Sequence, residues 1–436
     1  MFKTLREALK VKDIRKRLLF TFLMLVVVRF GSQLPVPGVN RSIVEELFSS
    51  LNQDAFNLFN SFTGGSMENF SIFALSITPY ITSSIIMQLL TIAIPRLEEL
   101  QRDGQEGRKK IVEYTRYVTV ALALIEAIAM TVGFGSQGVL LEYNWFTILM
   151  TVFTLTAGSA FLMWIGERIT ENGIGNGISV VLLINILSRI PDDMGVIYER
   201  FIAGRSIAAG VVILLIVLAV LIAIVLFTVL LNAAVRKIPV QYAQKMQGRR
   251  NVGGQQSHIP LKVNTAGVIP VIFASSLMTT PYMIAQFFTV DYTSIGGQIL
   301  LMLQSSYWFR IEYPWYSIGA VIYIALIIVF AYFYTSITFN PLEVANNMKK
   351  QGGFIPGIRP GKPTSDYLNK ILNYIVLIGA VGLVIVAIIP TIISSIFNIS
   401  SLSFLGTSLI IIIGVIIETL KQIETKMVAR EYDSIF

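Results

Sequence analysis

Residues 57–95 read NLFNSFTGGSMENFSIFALSITPYITSSIIMQLLTIAIP, a polar, glycine-broken segment followed directly by an apolar run long enough to cross a bilayer. The segment 58–70 is too polar to span, although its leucine and phenylalanines make one side apolar. Non-helical backbone is tolerated at membrane depth only inside protein or beside a water-filled cavity. Two arrangements therefore fit: a re-entrant segment in a cavity, or a loop on the outer membrane surface followed by an ordinary packed helix.

Two rows of side chains follow the apolar run 71–94 at helical spacing. One row is aliphatic and the other is polar, and their members are Ile77, Ile81 and Ile85, and Tyr80, Ser84 and Gln88. In the re-entrant arrangement, the aliphatic row lines the cavity with isoleucine.

The composition is that of a polytopic membrane protein. Of the 436 residues, 54% are hydrophobic and only 14% are charged, and the mean hydropathy is +0.69. Ten apolar runs each approach the roughly 20 residues that a helix needs to cross the hydrocarbon core. They are 18–34, 71–94, 112–133, 145–165, 176–190, 207–232, 265–289, 314–338, 371–393 and 402–420. The predicted fold class is an all-α polytopic membrane protein with ten transmembrane helices.

The basic residues set the predicted orientation. Of the 34 lysines and arginines, 28 lie on one side of the ten runs, five lie on the other, and Arg29 lies inside the first run. Cytoplasmic segments carry the excess of positive charge in membrane proteins. We therefore expect both termini to be cytoplasmic.

Two of the cytoplasmic loops, 236–264 and 340–366, are longer than a helix connection requires, and long loops in compact proteins are often functional. Their glycines and prolines specify turns, so each loop is predicted to be a protruding hairpin. Arg249 and Arg250 lie in the first loop, and Arg359 lies between prolines and glycines in the second. In the alternative interpretation, these charges only fix the topology and contact anionic membrane lipid.

No catalytic motif stands out in the sequence. The chain has no cysteine and a single histidine, His258, so thiolate chemistry and a two-histidine zinc motif are excluded. We expect no enzymatic activity, metal or cofactor. One acid, Glu126, lies in the middle of the third run, where a carboxylate is costly and marks a functional-site hypothesis. The alternative is a neutral acid that is hydrogen-bonded to a neighbouring hydroxyl.

Several ordered stretches give the chain a family resemblance. They are IFALSITPYITSSII at 72–86, EYTRY at 113–117, GIGNGIS at 173–179, PLKVN at 260–264, AGVIP at 266–270, GFIPGIRPG at 353–361 and GTSL at 406–409. In these stretches the chain resembles the SecY family, which forms the pore of the bacterial Sec protein translocase.

The resemblance implies two pseudo-symmetric five-helix halves, 1–206 and 207–436, around a central pore. Residues 58–70 would be a re-entrant plug, with Phe62, Gly64, Gly65, Met67 and Phe70 as its marked positions. The constriction would be an aliphatic pore ring made of Ile77, Ile81, Ile178, Leu182, Ile272 and Ile411. Leu182 stands where the family often has isoleucine, and a side chain of similar size should still seal the pore.

The resemblance also implies a lateral gate between spans 2 and 3 on one side and spans 7 and 8 on the other. Its candidate residues are Thr82, Ser83, Gln88, Glu126, Asn264 and Thr265. We expect Glu126 to hydrogen-bond across this gate to Asn264 or Thr265.

The partners implied by the resemblance are SecE and SecG in the membrane, the motor ATPase SecA, the ribosome with its nascent chains, and signal sequences. Arg249, Arg250 and Arg359 would dock the motor or the ribosome. The implied function is a protein-conducting channel in the bacterial cytoplasmic membrane.

A secondary transporter of small solutes is the main alternative, since ten spans, inverted halves and a broken segment near mid-membrane fit that class as well. Without the resemblance, the channel and the transporter fit equally. A transporter needs polar or ionisable ligands that converge on one site, whereas the converging residues here are aliphatic. An intramembrane enzyme lacks any nucleophile–base constellation.

Overall fold

The computed structural model of the chain describes residues 9–50, 63–198, 207–242, 245–247, 250–252, 256–285, 291, 293–309, 313–397 and 407–433. The helices are α1 (Lys12–Gln33), α2 (Arg41–Ser50), α3 (Thr78–Ala93), α4 (Pro95–Arg102), α5 (Gly104–Phe134), α6 (Trp145–Asn172), α7 (Gly177–Ile197), α8 (Ile207–Ala233), α9 (Ile269–Ala285), α10 (Ile295–Met302), α11 (Ile318–Thr338), α12 (Pro341–Lys350), α13 (Lys362–Phe397) and α14 (Thr407–Asp433). The strands are β1 (Val235–Tyr242), β2 (Lys245–Gln247), β3 (Arg250–Val252), β4 (Gln256–Lys262) and β5 (Gly353–Phe354).

Each of the ten predicted apolar runs contains a helix. A helix satisfies its own backbone hydrogen bonds, which an apolar environment requires. In the described part of the chain, five helical segments are long and apolar enough to cross a membrane, and a sixth results if α3 and α4, bent by 105°, are counted as one span. The chain is thus a multi-pass membrane protein, and the crossing by all ten runs stays a prediction.

The second run differs from its prediction, because the helix begins only at Thr78. Residues 71–77 form turns, and Ser76 has a φ of +53°, which lies outside the right-handed helical region. Pro79 lies in the first turn of α3, where its missing N–H breaks no helical bond. Further inside a helix its ring would clash with the carbonyl four residues earlier, so Pro79 disfavours extension of the helix back through 71–77.

The two long loops share one small sheet, so the fold is not helical throughout. Strands β1 and β4 pair antiparallel from Val235 opposite Lys262 to Gln241 opposite Gln256, which confirms the hairpin predicted for the loop 236–264. The loop 340–366 is not a hairpin of its own. It forms α12, and its short strand β5 joins the other edge of β1. Pro341 in the first turn and the capping side chain of Asn340 explain why helix forms there.

The apolar core divides along the chain. One large cluster is drawn from residues 36–155 and another from residues 224–410. Two smaller clusters join the parts: Val180 and Ile186 of α7 pack with Ile411, Ile412 and Val415 of α14, and a single isoleucine from each of α1, the loop 173–176 and α14 forms the other. The seam between the two large clusters therefore runs along α7 and α14.

Close helix contacts in the first part depend on glycine. A Cβ at Gly158 of α6 would lie 2.0 Å from the carbonyl oxygen of Ile72, and one at Gly177 would lie 1.9 Å from the carbonyl oxygen of Gly166. Small residues let backbones approach closely in membrane proteins, where van der Waals packing drives association. These contacts place the turn 71–77 against α6, and they place the start of α7 against the last part of α6.

Candidate functional site

Four of the six predicted ring residues share one aliphatic cluster. Ile77, at the start of α3, and Leu182 of α7 are buried in it, and Ile81 and Ile178 pack against it. Val28 of α1 is buried in the same cluster, although the sequence singled out no aliphatic residue of the first span. The cluster that holds these four predicted ring residues is thus assembled by α1, α3, α6 and α7.

The other two ring residues lie in a second, adjoining cluster. Ile411 of α14 is buried there beside Val180 and Ile186 of α7, and Ile272 of α9 packs against them. Helix α7 faces both clusters with different sides, and Leu25 of α1 packs against both. The structure therefore brings the predicted ring residues together as two groups around α7 and not as one continuous cluster.

The predicted plug is buried where the structure describes it. Gly64, Gly65, Met67 and Phe70 lie in the described part, and Phe62 lies outside it. All four described positions are buried, and Met67 and Phe70 belong to the cluster drawn from residues 36–155. The backbone N–H of Val36 also donates to the carbonyl oxygen of Phe70 over 3.0 Å. A loop on the outer membrane surface would be exposed, so this burial favours the packed, re-entrant arrangement.

Polar side chains of α1 and α7 reach this segment. The Nη1 of Arg29 donates to the carbonyl oxygen of Gly64 over 3.1 Å, and the hydroxyl of Ser188 donates to the same oxygen over 3.4 Å. Arg189 forms an ion pair with Glu68, with 2.6 Å between Nη1 and Oε2. Gly64 has a φ of +66°, and a Cβ there would lie 2.8 Å from the Arg29 nitrogen, so the close approach requires glycine.

The predicted gate residues Ser83 and Gln88 on α3 form hydrogen bonds within α3 or to α5, and Oε1 of Gln88 is buried without a partner among the described residues. Ser83 is buried, and its hydroxyl lies 2.5 Å from the hydroxyl of Thr119 on α5. Thr82 is half-buried beside it. Gln88 donates from Nε2 to the hydroxyl of Ser84, one turn earlier, over 3.2 Å. These bonds join α3 to α5 or stay within α3. They do not cross the predicted gate to spans 7 and 8.

The predicted hydrogen bond between Glu126 and Asn264 or Thr265 is wrong. The Nδ2 of Asn264 donates to Oδ1 of Asn232 on α8 over 2.8 Å, and the hydroxyl of Thr265 donates to the carbonyl oxygen of Lys262 over 2.8 Å. The Oε2 of Glu126 is buried and has no hydrogen-bond partner among the described residues. The physical reason is that Asn264 has a complementary amide nearby, which a sequence reading of spans 2, 3, 7 and 8 did not include.

We expect Glu126→Leu to leave the protein at least as stable as the parent. The substitution removes a carboxylate whose burial costs about 2.5 kcal/mol at mid-span, and it breaks no hydrogen bond that the structure shows. The measurement is the midpoint of thermal unfolding in detergent, with Glu126→Gln as the matched variant that keeps the shape and the hydrogen-bonding capacity. A leucine variant that unfolds well below the glutamine variant would show that the acid has a partner after all.

Arg359 is displayed on a fixed turn. Its side chain is exposed, its carbonyl oxygen accepts the hydroxyl of Thr364 over 2.8 Å, and the flanking Gly357 and Gly361 have φ values of +82° and +105°. No ion pair engages its guanidinium within the described ranges. Arg249 lies outside the described residues, and Arg250 lies in β3. The structure thus leaves Arg359 available to a partner.

The loop 173–176 ties α7 to both ends of the chain. The N–H of Ile174 donates to the hydroxyl of Thr21 in α1 over 3.1 Å, and the N–H of Gly175 donates to Oε1 of Gln422 in α14 over 2.9 Å. The seam between the two large core clusters is therefore closed by polar contacts at the end where α7 begins.

Arg29, Ser188 and Arg189 contact the buried segment, and none of them was predicted as a site residue from the sequence. One signal was present, because Arg29 lies well inside an apolar run, and an ionisable residue in a span is a functional-site hypothesis by default. Arg189 gave no such signal, since it lies at the end of its run among other residues of the outer side.

Comparisons with known proteins agree with this fold. A sequence profile of the SecY family matches residues 71–420. The chain is 42% identical to the protein translocase subunit SecY of Halalkalibacterium halodurans, over 99% of each chain. Among solved structures, it is similar to a SecY protein described as having a plug domain that stabilises the closed state of the translocation channel (TM-score 0.64) and to Sec61 in the canine ribosome–channel complex from the endoplasmic reticulum (TM-score 0.61). Both are 17% identical, and each match covers 96% of this chain and 93% of the other, which shows a shared fold. The chain belongs to the SecY family.

Proposed function

We propose that this chain is the protein-conducting channel of a Sec-type translocase. It passes unfolded secretory polypeptides across the cytoplasmic membrane and releases membrane-protein segments through a lateral gate, driven by SecA or by the ribosome. SecE and SecG are its partners in the membrane. In this proposal, ten spans form two halves, 1–206 and 207–436, both termini are cytoplasmic, and the chain has no enzymatic activity of its own.

The aliphatic clusters around α7 carry the proposal. Branched aliphatic side chains form a dewetted barrier to ions, and they offer no fixed polar partner that would trap a passing chain. A small-solute transporter needs converging polar ligands, whereas the predicted ring residues Ile81, Leu182 and Ile411 are aliphatic. The high similarity to a translocase subunit over nearly the whole chain supports the same function. The ribosome-bound relative among the solved structures supports the ribosome as a partner.

A stalled secretory precursor tests the proposal directly. Because the chain has no cysteine, Ile81→Cys and Ile272→Cys each introduce a unique thiol. We expect both to form a disulfide with a single cysteine placed in the precursor. The matched controls are Phe146→Cys and Leu230→Cys, whose side chains are exposed on the outside of the helices. A precursor that reacts with neither ring position, or equally with the controls, would contradict a protein-conducting pore at this site.

Replacing Ile81, Ile272 and Ile411 together by serine should raise the resting ion conductance, because a dewetted constriction depends on apolar walls. The same change should relax the demand for a strongly hydrophobic signal sequence. The measurements are single-channel conductance in planar bilayers and export of a precursor with a weakened signal. Serine at three exposed isoleucines serves as the control, and these are Ile125, Ile222 and Ile378. Parental conductance and parental selectivity in the ring variant would place these residues away from the pore.

A further inference from the structure

The buried segment 63–70 is held by one side of the molecule. The side chains that make polar contacts with it, as far as the described residues show them, are Arg29 in α1 and Ser188 and Arg189 in α7. The backbone N–H of Val36 also donates to the carbonyl oxygen of Phe70. Its apolar side chains, Met67 and Phe70, pack in the cluster drawn from residues 36–155. Both sets of contacts therefore belong to the N-terminal helices.

The ion pair between Arg189 and Glu68 is partly exposed. The side chain of Arg189 is 18% exposed and that of Glu68 is 42% exposed, with 2.6 Å between their charged atoms. The Nε of Arg189 is buried without a hydrogen-bond partner among the described residues, and its Nη1 also lies 3.8 Å from Oδ2 of Asp192 in α7. Glu68 is the nearer acid at 2.6 Å, so its removal leaves a mostly buried guanidinium with the longer contact alone and is expected to weaken the docking of the segment.

The contact of Arg29 has a different character. Its guanidinium donates to a backbone carbonyl, that of Gly64, and this bond depends on the position of the backbone and not on a side chain of the segment. A cation near the middle of an apolar run is costly unless it finds such a partner. The two arginines thus fix the segment at two points, one at its start through the backbone and one further along through Glu68.

We propose that Arg29 and Arg189 are positioning residues that dock the segment 63–70 on the N-terminal helices, and that the Glu68–Arg189 pair sets how readily the segment leaves its site. The pair is partly exposed to solvent, and a single side-chain substitution can break it. The proposal rests on the proposed function, since it assigns the resting seal of that channel to a specific ion pair.

The test measures the position of the segment with a unique thiol. Met67 is buried, so in a Met67→Cys variant the thiol is protected while the segment is docked. We expect Glu68→Gln or Arg189→Gln, added to this variant, to speed labelling of the thiol by a water-soluble maleimide roughly tenfold or more, as the loss of a partially buried ion pair implies. The exchanged pair, Glu68→Arg with Arg189→Glu, should bring the rate back toward the parental value.

The control is Glu171→Gln, which breaks an exposed ion pair with Arg168 on α6, away from the segment. Unchanged labelling in both single variants, or no recovery in the exchanged pair, would overturn the proposal. Cross-linking of a stalled precursor to Ile81→Cys, measured in the same membranes, distinguishes failure of the docking role from failure of the proposed channel function. If the precursor still cross-links while labelling is unchanged, the channel function stands and the docking role is wrong. If labelling is unchanged and the precursor also fails to cross-link, the proposed function itself is contradicted.

Discussion

Arg359→Glu is expected to abolish SecA-driven export of secretory proteins while the amount of the variant in the membrane stays at the parental level. The side chain is exposed on a turn fixed by two glycines with positive φ and by the hydroxyl of Thr364. A guanidinium held in this way presents a planar set of donors to carboxylates or phosphates of a partner. Reversing the charge at such a point replaces a charge-assisted hydrogen bond by repulsion.

The loss of export should be large and should reflect docking alone, because no other role of this turn that depends on the charge of Arg359 is seen in the described residues. The side chain forms no ion pair in the part of the chain that the structure describes, so the substitution breaks no such contact within the protein. Export is measured with inverted membrane vesicles, purified SecA and a radiolabelled precursor. Lys349→Glu is the matched control, an exposed basic residue at the end of α12 in the same loop. Equal loss in both variants would point to net charge, and normal export by Arg359→Glu would leave this arginine as a topology determinant only.

The helices were predictable because apolar runs must satisfy their backbone hydrogen bonds internally. The start of α3 was not, since the hydrophobicity of 71–77 is that of a span. The position of Pro79 in the first turn of α3 and the packing of Gly158 against the carbonyl of Ile72 disfavour a helix there. The N–H of Ile72 donates to the carbonyl oxygen of Leu34 instead of within a helix. The sheet shared by the loops 236–264 and 340–366 could not be predicted either, because β5 has only two residues and is a strand only through its pairing with β1.

In the candidate site, too, the apolar packing was predictable and the individual polar contacts were not. The aliphatic residues of the predicted ring pack around α7. This could be predicted because their spacing and the family resemblance both indicate which helix faces are apolar. The partner of Asn264 could not be predicted in this way, since Asn232 lies in α8 and no sequence pattern indicates that the two side chains meet. Hydrogen bonds between long-range side chains depend on ångström-level placement, which apolar periodicity leaves open.

Deleting residues 60–70 should produce a channel that leaks ions at rest and that unfolds at a lower temperature than the parent. The leak is expected because the deletion removes residues 63–70, which are mostly buried and contact α1 and α7 through Arg29 and Ser188. The same two helices contribute to the first aliphatic cluster. The loss of stability is expected because Met67 and Phe70 contribute to the cluster drawn from residues 36–155, and the truncation of one buried large side chain costs about 2–5 kcal/mol.

These two effects can be separated with a variant that keeps the segment and loses its core contacts. Met67→Ala with Phe70→Ala removes the same buried side chains but leaves the backbone of 60–70 in the chain. Its unfolding temperature should fall as in the deletion, whereas its resting conductance should stay much closer to the parental value. A leak of equal size in both variants would mean that conductance follows the loss of stability. An ion-tight deletion variant that still exports precursor would show that the aliphatic clusters around α7 seal the pore without this segment, because the barrier would then lie in the walls and not in the occluding chain.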